Sequence, residues 1–322
     1  MSLSAAFGSG RVARVFRARP VAMLVTITTA LALVAGAVVV VGMRDQMTAE
    51  ADARLARHAN EQASAVDEVV TAATRDLRLA SRNIAFPEAL AGGGANLTPS
   101  DRAAVEAAIR YTGERYAVDE ICLIRADGVE TARYNGGEIA AVDDLSADES
   151  IGNPAFFPAM ALAEDEVYRT EPYISPDSNR WVFGLATPIF AGGKAVGILH
   201  FELPVAAFSE ALAARAFGPR GYTFVLTNDG RLLDHPQIDV FRQAAGLPTD
   251  MATADFPPAI SAGSPGWRQA VGHILAGAST GGFDDGGVAT RFVAQPMLDG
   301  SASAVTVTPK GELYADVDRA QL

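Results

Sequence analysis

The chain has 322 residues, of which 49% are apolar and 20% charged, which is enough apolar surface for a packed core and rules out wholesale disorder. Its formal charge of −12 argues against a nucleic-acid partner, whose phosphates need a basic face. The single cysteine, Cys122, excludes a disulfide framework and a thiolate metal cluster.

Residues 1–20 contain Arg11, Arg14, Arg17 and Arg19 and no acid, so the whole acidic excess lies beyond residue 43. Val21 to Met43 is a 23-residue uncharged stretch. As a helix it reaches about 35 Å, enough to cross a hydrocarbon core of about 30 Å. The flanking arginines place residues 1–20 in the cytoplasm and the remainder outside, with residues 21–43 in the lipid bilayer as a single-pass anchor. A cleaved signal peptide is the rival reading; its apolar region is normally shorter and ends at a small-residue cleavage site. Beyond the span, residues 44–90 read as a long membrane-proximal helix. Met47, Ala51, Leu55, Ala59, Ala63, Val66, Val70, Ala73, Leu77 and Ala80 recur at spacings of three or four up to Pro87. Such a rod needs a covered face, either a sheet or a second copy in a homodimer.

Ala91-Gly92-Gly93-Gly94 opens a loop, and Thr98-Pro99-Ser100-Asp101 starts a helix with a cap, a first-position proline and an early acid. The period then changes to two. Glu120–Arg125 and Val129–Tyr134 form a hairpin around Ala126-Asp127-Gly128. Strands are predicted over 167–173, 180–190 and 195–203, the last two joined by a tight Gly192-Gly193 turn, and a helix over 204–217. Cys122, within an apolar run, is expected to be buried. A shorter second set begins at Gly221: a hairpin over 222–234, a mostly loop-like stretch to 287 with a helix near 267–277, then strands at 288–296 and 302–308. The fold class is therefore α+β: a transmembrane helix continuing into a long helix, then two tandem antiparallel-sheet modules at 91–217 and 218–322, which resemble PAS-like modules.

These pieces resemble the double Cache sensor, or PDC-like sensor, of bacterial transmembrane receptors. The resemblance rests on five segments: Gly128–Tyr134; Ala155-Phe156-Phe157; Val167–Tyr173; 186–203 (ATPIFAGGKAVGILHFEL); and 221–237 (GYTFVLTNDGRLLDHPQ). It implies a membrane-distal module at 91–217, a membrane-proximal one at 218–322, and a small ligand, amino-acid-like or an organic acid, in the distal module. Where amino-acid-binding members end the last strand of the first module in aspartate, this chain has Glu202. The family continues into a second span and a cytoplasmic output domain; here the chain stops at Leu322, so the expected output partner lies outside it. A membrane-anchored scaffold that binds without signalling is the alternative.

Strand alternation puts Leu199, Phe201 and Leu203 on one face, toward the helices, and Ile198, His200 and Glu202 on the other. Arg133, Tyr134, Tyr168, Tyr173 and Trp181 come from strands or loops that border the second face. Arg133 offers a donor fork for a carboxylate, Glu202 a partner for an ammonium, and the aromatic rings buried area. Each has a structural reading beside the binding one: a cross-hairpin ion pair for Arg133, a solvated edge for Glu202, a hydrogen-bonded core histidine for His200, and core aromatics for the rest. No enzyme is expected. His58, His200, His235 and His273 are scattered without metal-ligand spacing, Ser264 lacks a nucleophile elbow, and the glycine clusters lack a phosphate-loop lysine, so neither cofactor nor metal is predicted.

Overall fold

The computed structural model describes residues 12–92, 97–116, 118, 120–213, 217–250 and 255–319. Residues 1–11 of the expected N-terminal segment and the glycine run at 93–96 lie outside the described residues. Two compact units divide the chain: the helix up to Arg54 together with residues from Leu313 onward, and Leu55–Glu312.

Helix α1 (Val12–Ser81) runs without interruption through the apolar stretch and the rod beyond it. It is the one described helix long and apolar enough to cross a membrane. The apolar residues from Met23 to Met43 are exposed, and the tyrosine hydroxyl of Tyr314 donates to Asp52 (2.6 Å) within the first unit. Farther along, Ala59, Ala63, Val66, Ala73, Leu77 and Ala80 are buried, and the opposite face carries Asn60, Ser64, Glu68 and Thr71. The rod is shorter than the spacing predicts. It stops at Ser81 because Asn83 turns the chain: its side-chain oxygen accepts the Ala85 N–H (3.0 Å) and starts α2 (Ala85–Ala91). Thr98 caps α3 (Pro99–Tyr116) by accepting the Asp101 N–H, as the sequence indicates.

The first sheet contains β1 (Glu120–Arg125), β2 (Glu130–Asn135), β3 (Glu138–Ile139), β4 (Tyr168–Arg169), β5 (Tyr173–Ile174), β6 (Trp181–Ala191) and β7 (Lys194–Pro204). Its order is β3-β2-β1-β7-β6-β4, with β5 also on β6. The strand expected over 167–173 is split in two around Pro172, which has no N–H to give to β6. A short helix, α4 (Phe156–Met160), lies over one face and α5 (Ala206–Ala213) follows β7. Leu199, Phe201 and Leu203 pack with α1, α2 and α3 residues such as Leu77, Phe86 and Ile109. Each such side chain removed from water contributes about 2–3 kcal/mol, so this face anchors the sheet.

The second sheet contains β8 (Tyr222–Thr227), β9 (Leu232–Asp234), β10 (Thr280–Asp285), β11 (Val288–Met297) and β12 (Ala302–Pro309), ordered β10-β11-β12-β8-β9. That repeats the antiparallel path β4-β6-β7-β1-β2 of the first. Two elements fall within the stretch read as loop: α6 (Ile238–Ala244) and β10. Gly281 and Gly282 depress the strand signal of β10, yet a Cβ on Gly281 would stand 2.4 Å from the Phe292 ring, so the glycine is what lets that ring lie across the strand. Helix α7 (Pro265–Leu275) is capped by Ser264, and its Trp267 joins Phe224, Phe241 and Phe292 in the core of this sheet.

Candidate ligand-binding cleft

The face of the first sheet turned away from α1 is organised in rows. Pairing of β2, β1, β7, β6 and β4 aligns Arg133, Cys122, His200, Ala186 and Tyr168 in one row. The next row is Asn135, Glu120, Glu202 and Gly184. Over the second row the loops at 144–153 and 175–178 leave a cleft of about 310 Å³. Gly184 makes room at its floor: a Cβ there would meet His200 Nε2 at 2.9 Å and the Tyr173 ring at 3.3 Å.

Arg133, Tyr173, His200 and Glu202 line the cleft. The Tyr173 hydroxyl donates to Glu202 Oε1 (2.8 Å) and lies 3.3 Å from His200 Nε2. His200 Nδ1 is 3.4 Å from the Asn153 amide. Arg133 Nη1 donates to Asp177 Oδ1 (2.5 Å) and lies 3.5 Å from Glu130, and Nη2 donates to the Asp144 carbonyl (2.6 Å). The guanidinium thus fastens both loops to β2.

The other three expected residues stand elsewhere. Tyr134 alternates to the helix face, where its ring lies on Gly113 of α3; a Cβ on Gly113 would be 2.3 Å from it. Tyr168 shares the cleft face but sits at the far end of its row, against the cluster of Cys122, Phe156 and Ile198. Trp181 packs against Phe256 with ring centroids 4.2 Å apart and planes tilted by 40°, outside the cleft. Cys122 is buried, and its thiol donates to Glu120 (3.1 Å).

Residue types alone missed Glu120, Asn153 and Asp177. Glu120 had a signal: in a β1–β7 pairing it falls opposite Glu202. Asn153 and Asp177 lie in irregular loops, where no periodicity assigns a direction.

The cleft is acidic. Glu120, Asp144, Asp148, Glu149, Asp177 and Glu202 face one guanidinium. Glu120 and Glu202 are directly opposite, each 2% exposed. Burial holds both above the ordinary carboxylate range, reinforced for Glu120 by repulsion from Glu202. Burial also lowers His200 to about 4, so its ring is neutral at pH 7. Among the described residues no group of three His, Cys, Asp or Glu side chains is arranged to hold a metal ion.

No family model matches the chain. It is 30% identical to the methyl-accepting chemotaxis protein PctB of Pseudomonas aeruginosa over 115 residues, 36% of this chain and 17% of that protein. It is also 30% identical to the methyl-accepting chemotaxis protein McpG of Pseudomonas putida over 71 residues, 22% of this chain and 11% of that one. The chain therefore spans a small part of the length of the curated relatives it matches. Among solved structures, the ligand-binding domain of the Campylobacter jejuni chemoreceptor Tlp3 with 4-methylisoleucine superposes with a TM-score of 0.63 at 10% identity, covering 83% of this chain and 94% of that domain. The ligand-binding domain of the Pseudomonas fluorescens chemoreceptor CtaA with L-isoleucine gives 0.55 at 17% identity, covering 85% and 98%. The fold is thus that of chemoreceptor sensor domains, the double Cache arrangement that the motifs resemble.

Proposed function

We propose that this chain, built on the fold of chemoreceptor ligand-binding domains, is the extracytoplasmic sensing part of a bacterial transmembrane signalling receptor. A small amino-acid-like molecule or organic acid binds in the cleft of the first sheet, and the long helix carries the response toward the membrane. The observation that carries this reading is the cleft itself: Arg133, Tyr173, His200 and Glu202 come from three strands of one sheet face and meet beneath two loops fastened by Arg133. Its role is to bind, not to catalyse.

In this reading residues 21–43 lie in the inner or plasma membrane, with the N-terminus cytoplasmic, a distal module at 91–217 and a proximal one at 218–322. The flanking arginines support the orientation. A second copy pairs along α1, whose exposed Ala53, Asn60, Ser64 and Thr71 recur at seven and four and are small enough for close approach. Ligand shifts the loops only by binding one arrangement more tightly than the other. The response passes to a cytoplasmic output module.

Thermal-shift screening of amino acids, amines and organic acids on the full chain in detergent tests the reading. A hit is expected whose affinity falls at least tenfold in Arg133→Ala or Glu202→Ala. A hit that both variants bind as well as the parent places the site elsewhere.

A further inference from the structure

Glu202 has Oε1 bonded to Tyr173, while Oε2 is buried without a partner in hydrogen-bond geometry; the Ser175 side chain eases the charge of this carboxylate without fully satisfying it. Glu202 lines the cleft, and Glu120 stands directly across from it on β1. Glu120 is satisfied on both oxygens, by the Cys122 thiol and by the Asn135 amide (3.0 Å). A buried carboxylate oxygen left in this state beneath a cleft is costly unless a proton holds it neutral or side-chain adjustment brings something positive to it.

The group that would greet an anion is already engaged. Arg133 is ringed by Asp177, Glu130 and the Asp144 carbonyl, so an incoming carboxylate would have to displace Asp177 and then face the remaining acids. A cation meets the opposite situation. Among the described residues no trio of His, Cys, Asp or Glu side chains is arranged for a metal ion, whereas the N–H groups of an organic cation suit carboxylate acceptors.

On the reading of the cleft as a small-molecule site, but departing from the amino-acid-like or organic-acid ligand that the resemblance suggests, we infer that its ligand is an organic ammonium without a neighbouring carboxylate, seated against Glu120 and Glu202 in exchange for a proton. The ammonium N–H groups donate to Glu202 Oε2, and one proton that burial keeps on the glutamate pair leaves to solvent, so the charge of the site is the same before and after. The titratable groups around the pair leave the field there negative, with Arg133 alone opposing a cation. On β7, His200 is neutral. On β5, the Tyr173 hydroxyl is pushed up by burial and stays protonated. On β1, burial pushes the Cys122 thiol up. On β2, Glu130 is raised by burial, and Arg133 is the one fixed positive charge. From the loops, Asp177 and Glu149 add to the negative field on Glu202.

The test is calorimetry on the full chain in nanodiscs with n-butylamine, 1,4-diaminobutane, succinate and L-isoleucine, in buffers of differing ionisation enthalpy. The amines are expected to bind with release of about one proton, and affinity should rise up to about tenfold per pH unit while the pair is protonated. Glu202→Gln, which keeps the shape and removes the repulsion, should fold and lose the amines at least tenfold together with the proton release. Binding of succinate or L-isoleucine in preference to the amines overturns the inference and leaves the sensor reading standing. Amine binding that Glu202→Gln leaves intact overturns it as well. Failure of all four to bind removes the inference, and the broader thermal-shift screen then decides the sensor reading separately.

Discussion

Asp67, on α1, accepts the backbone N–H of Leu298 at 2.7 Å, joining positions 231 residues apart. The carbonyl of the same Leu298 accepts Arg169 Nη2 (3.0 Å) from β4. One residue in the β11–β12 turn is thus held, through the peptide groups on either side of it, by the long helix and by the edge of the first sheet. Leu298 and Asp299 both have positive φ (54° and 56°), a conformation that non-glycine residues adopt only when their surroundings hold them there. Asp67→Ala should therefore cost about 1–2 kcal/mol, since it leaves the Leu298 amide without its charged acceptor. Amide exchange at Leu298 and Ser301 should accelerate in the same variant. Unchanged exchange at those two amides would show that the turn holds without the helix.

Two sets of buried groups should change stability with pH in opposite directions. Burial lowers His200 and His235 to about 4, against an ordinary value near 6.5. Between those values the unfolded chain binds more protons than the folded one, so stability is lost as pH falls through that window, by about 3 kcal/mol per histidine at its end. Glu120, Glu130 and Glu202 are raised, so the folded state binds more protons than the unfolded one above the ordinary carboxylate range. Their contribution is complete below that range and is lost as pH rises through the folded values. The two effects oppose each other between the ordinary carboxylate range and about 6.5, so the clear signal lies above 6.5, where only the glutamates still titrate: melting temperature of the ligand-free chain should fall as pH rises there, and Glu120→Gln should make that fall shallower.

Much of this arrangement was legible in the sequence, and its gaps have physical causes. Alternation along β7 separated Leu199, Phe201 and Leu203 from His200 and Glu202 because the strand is regular and its period is two. The same logic applied to β2 would have separated Arg133 from Tyr134, one residue apart and so on opposite faces. Tyr134 looked like a cleft residue because chemistry, not direction, nominated it. Trp181 opens β6 and turns to Phe256, a contact between segments 75 positions apart that no local pattern encodes. Asp177 and Asn153 belong to loops whose course is set by hydrogen bonds to Arg133 and His200. Strand β10 was hidden because Gly281, Gly282, Asp284 and Asp285 all disfavour strands, and pairing to β11 outweighs that preference.

The close approach of Tyr134 to Gly113 gives a test of the two faces. Alanine at 113 would gain about 1 kcal/mol of helix propensity in α3. It would also put a methyl 2.3 Å from Cε1 of a ring that is buried and cannot swing away. Overpacking of this kind costs about 1–3 kcal/mol, so Gly113→Ala should lower the melting temperature. Pairing it with Tyr134→Ala should return a favourable coupling in a double-mutant cycle. Ligand affinity should stay at the parent level in Gly113→Ala, because the cleft lies on the other side of the sheet; a tenfold loss would mean that the two faces are not independent.

Gly184 does for the cleft what Gly113 does for the helix face. Its N–H donates to Thr170 Oγ1 (2.8 Å), and it pairs opposite Glu202 on β7. A methyl there meets His200 Nε2 at 2.9 Å, Thr170 Cγ2 at 3.1 Å and the Tyr173 ring at 3.3 Å. Removing the backbone freedom of glycine from the unfolded chain favours Gly184→Ala by about 0.4–1 kcal/mol, which offsets part of the packing cost. The net change in stability should therefore be small. The change in the cleft should not: Tyr173 and His200 must shift, and the Tyr173 hydroxyl then leaves Glu202 Oε1. The expected result is a variant with a near-native melting temperature and circular dichroism that binds the ligand at least tenfold more weakly. Parent-like affinity in that variant would show that the alignment of Tyr173 with Glu202 does not matter for binding.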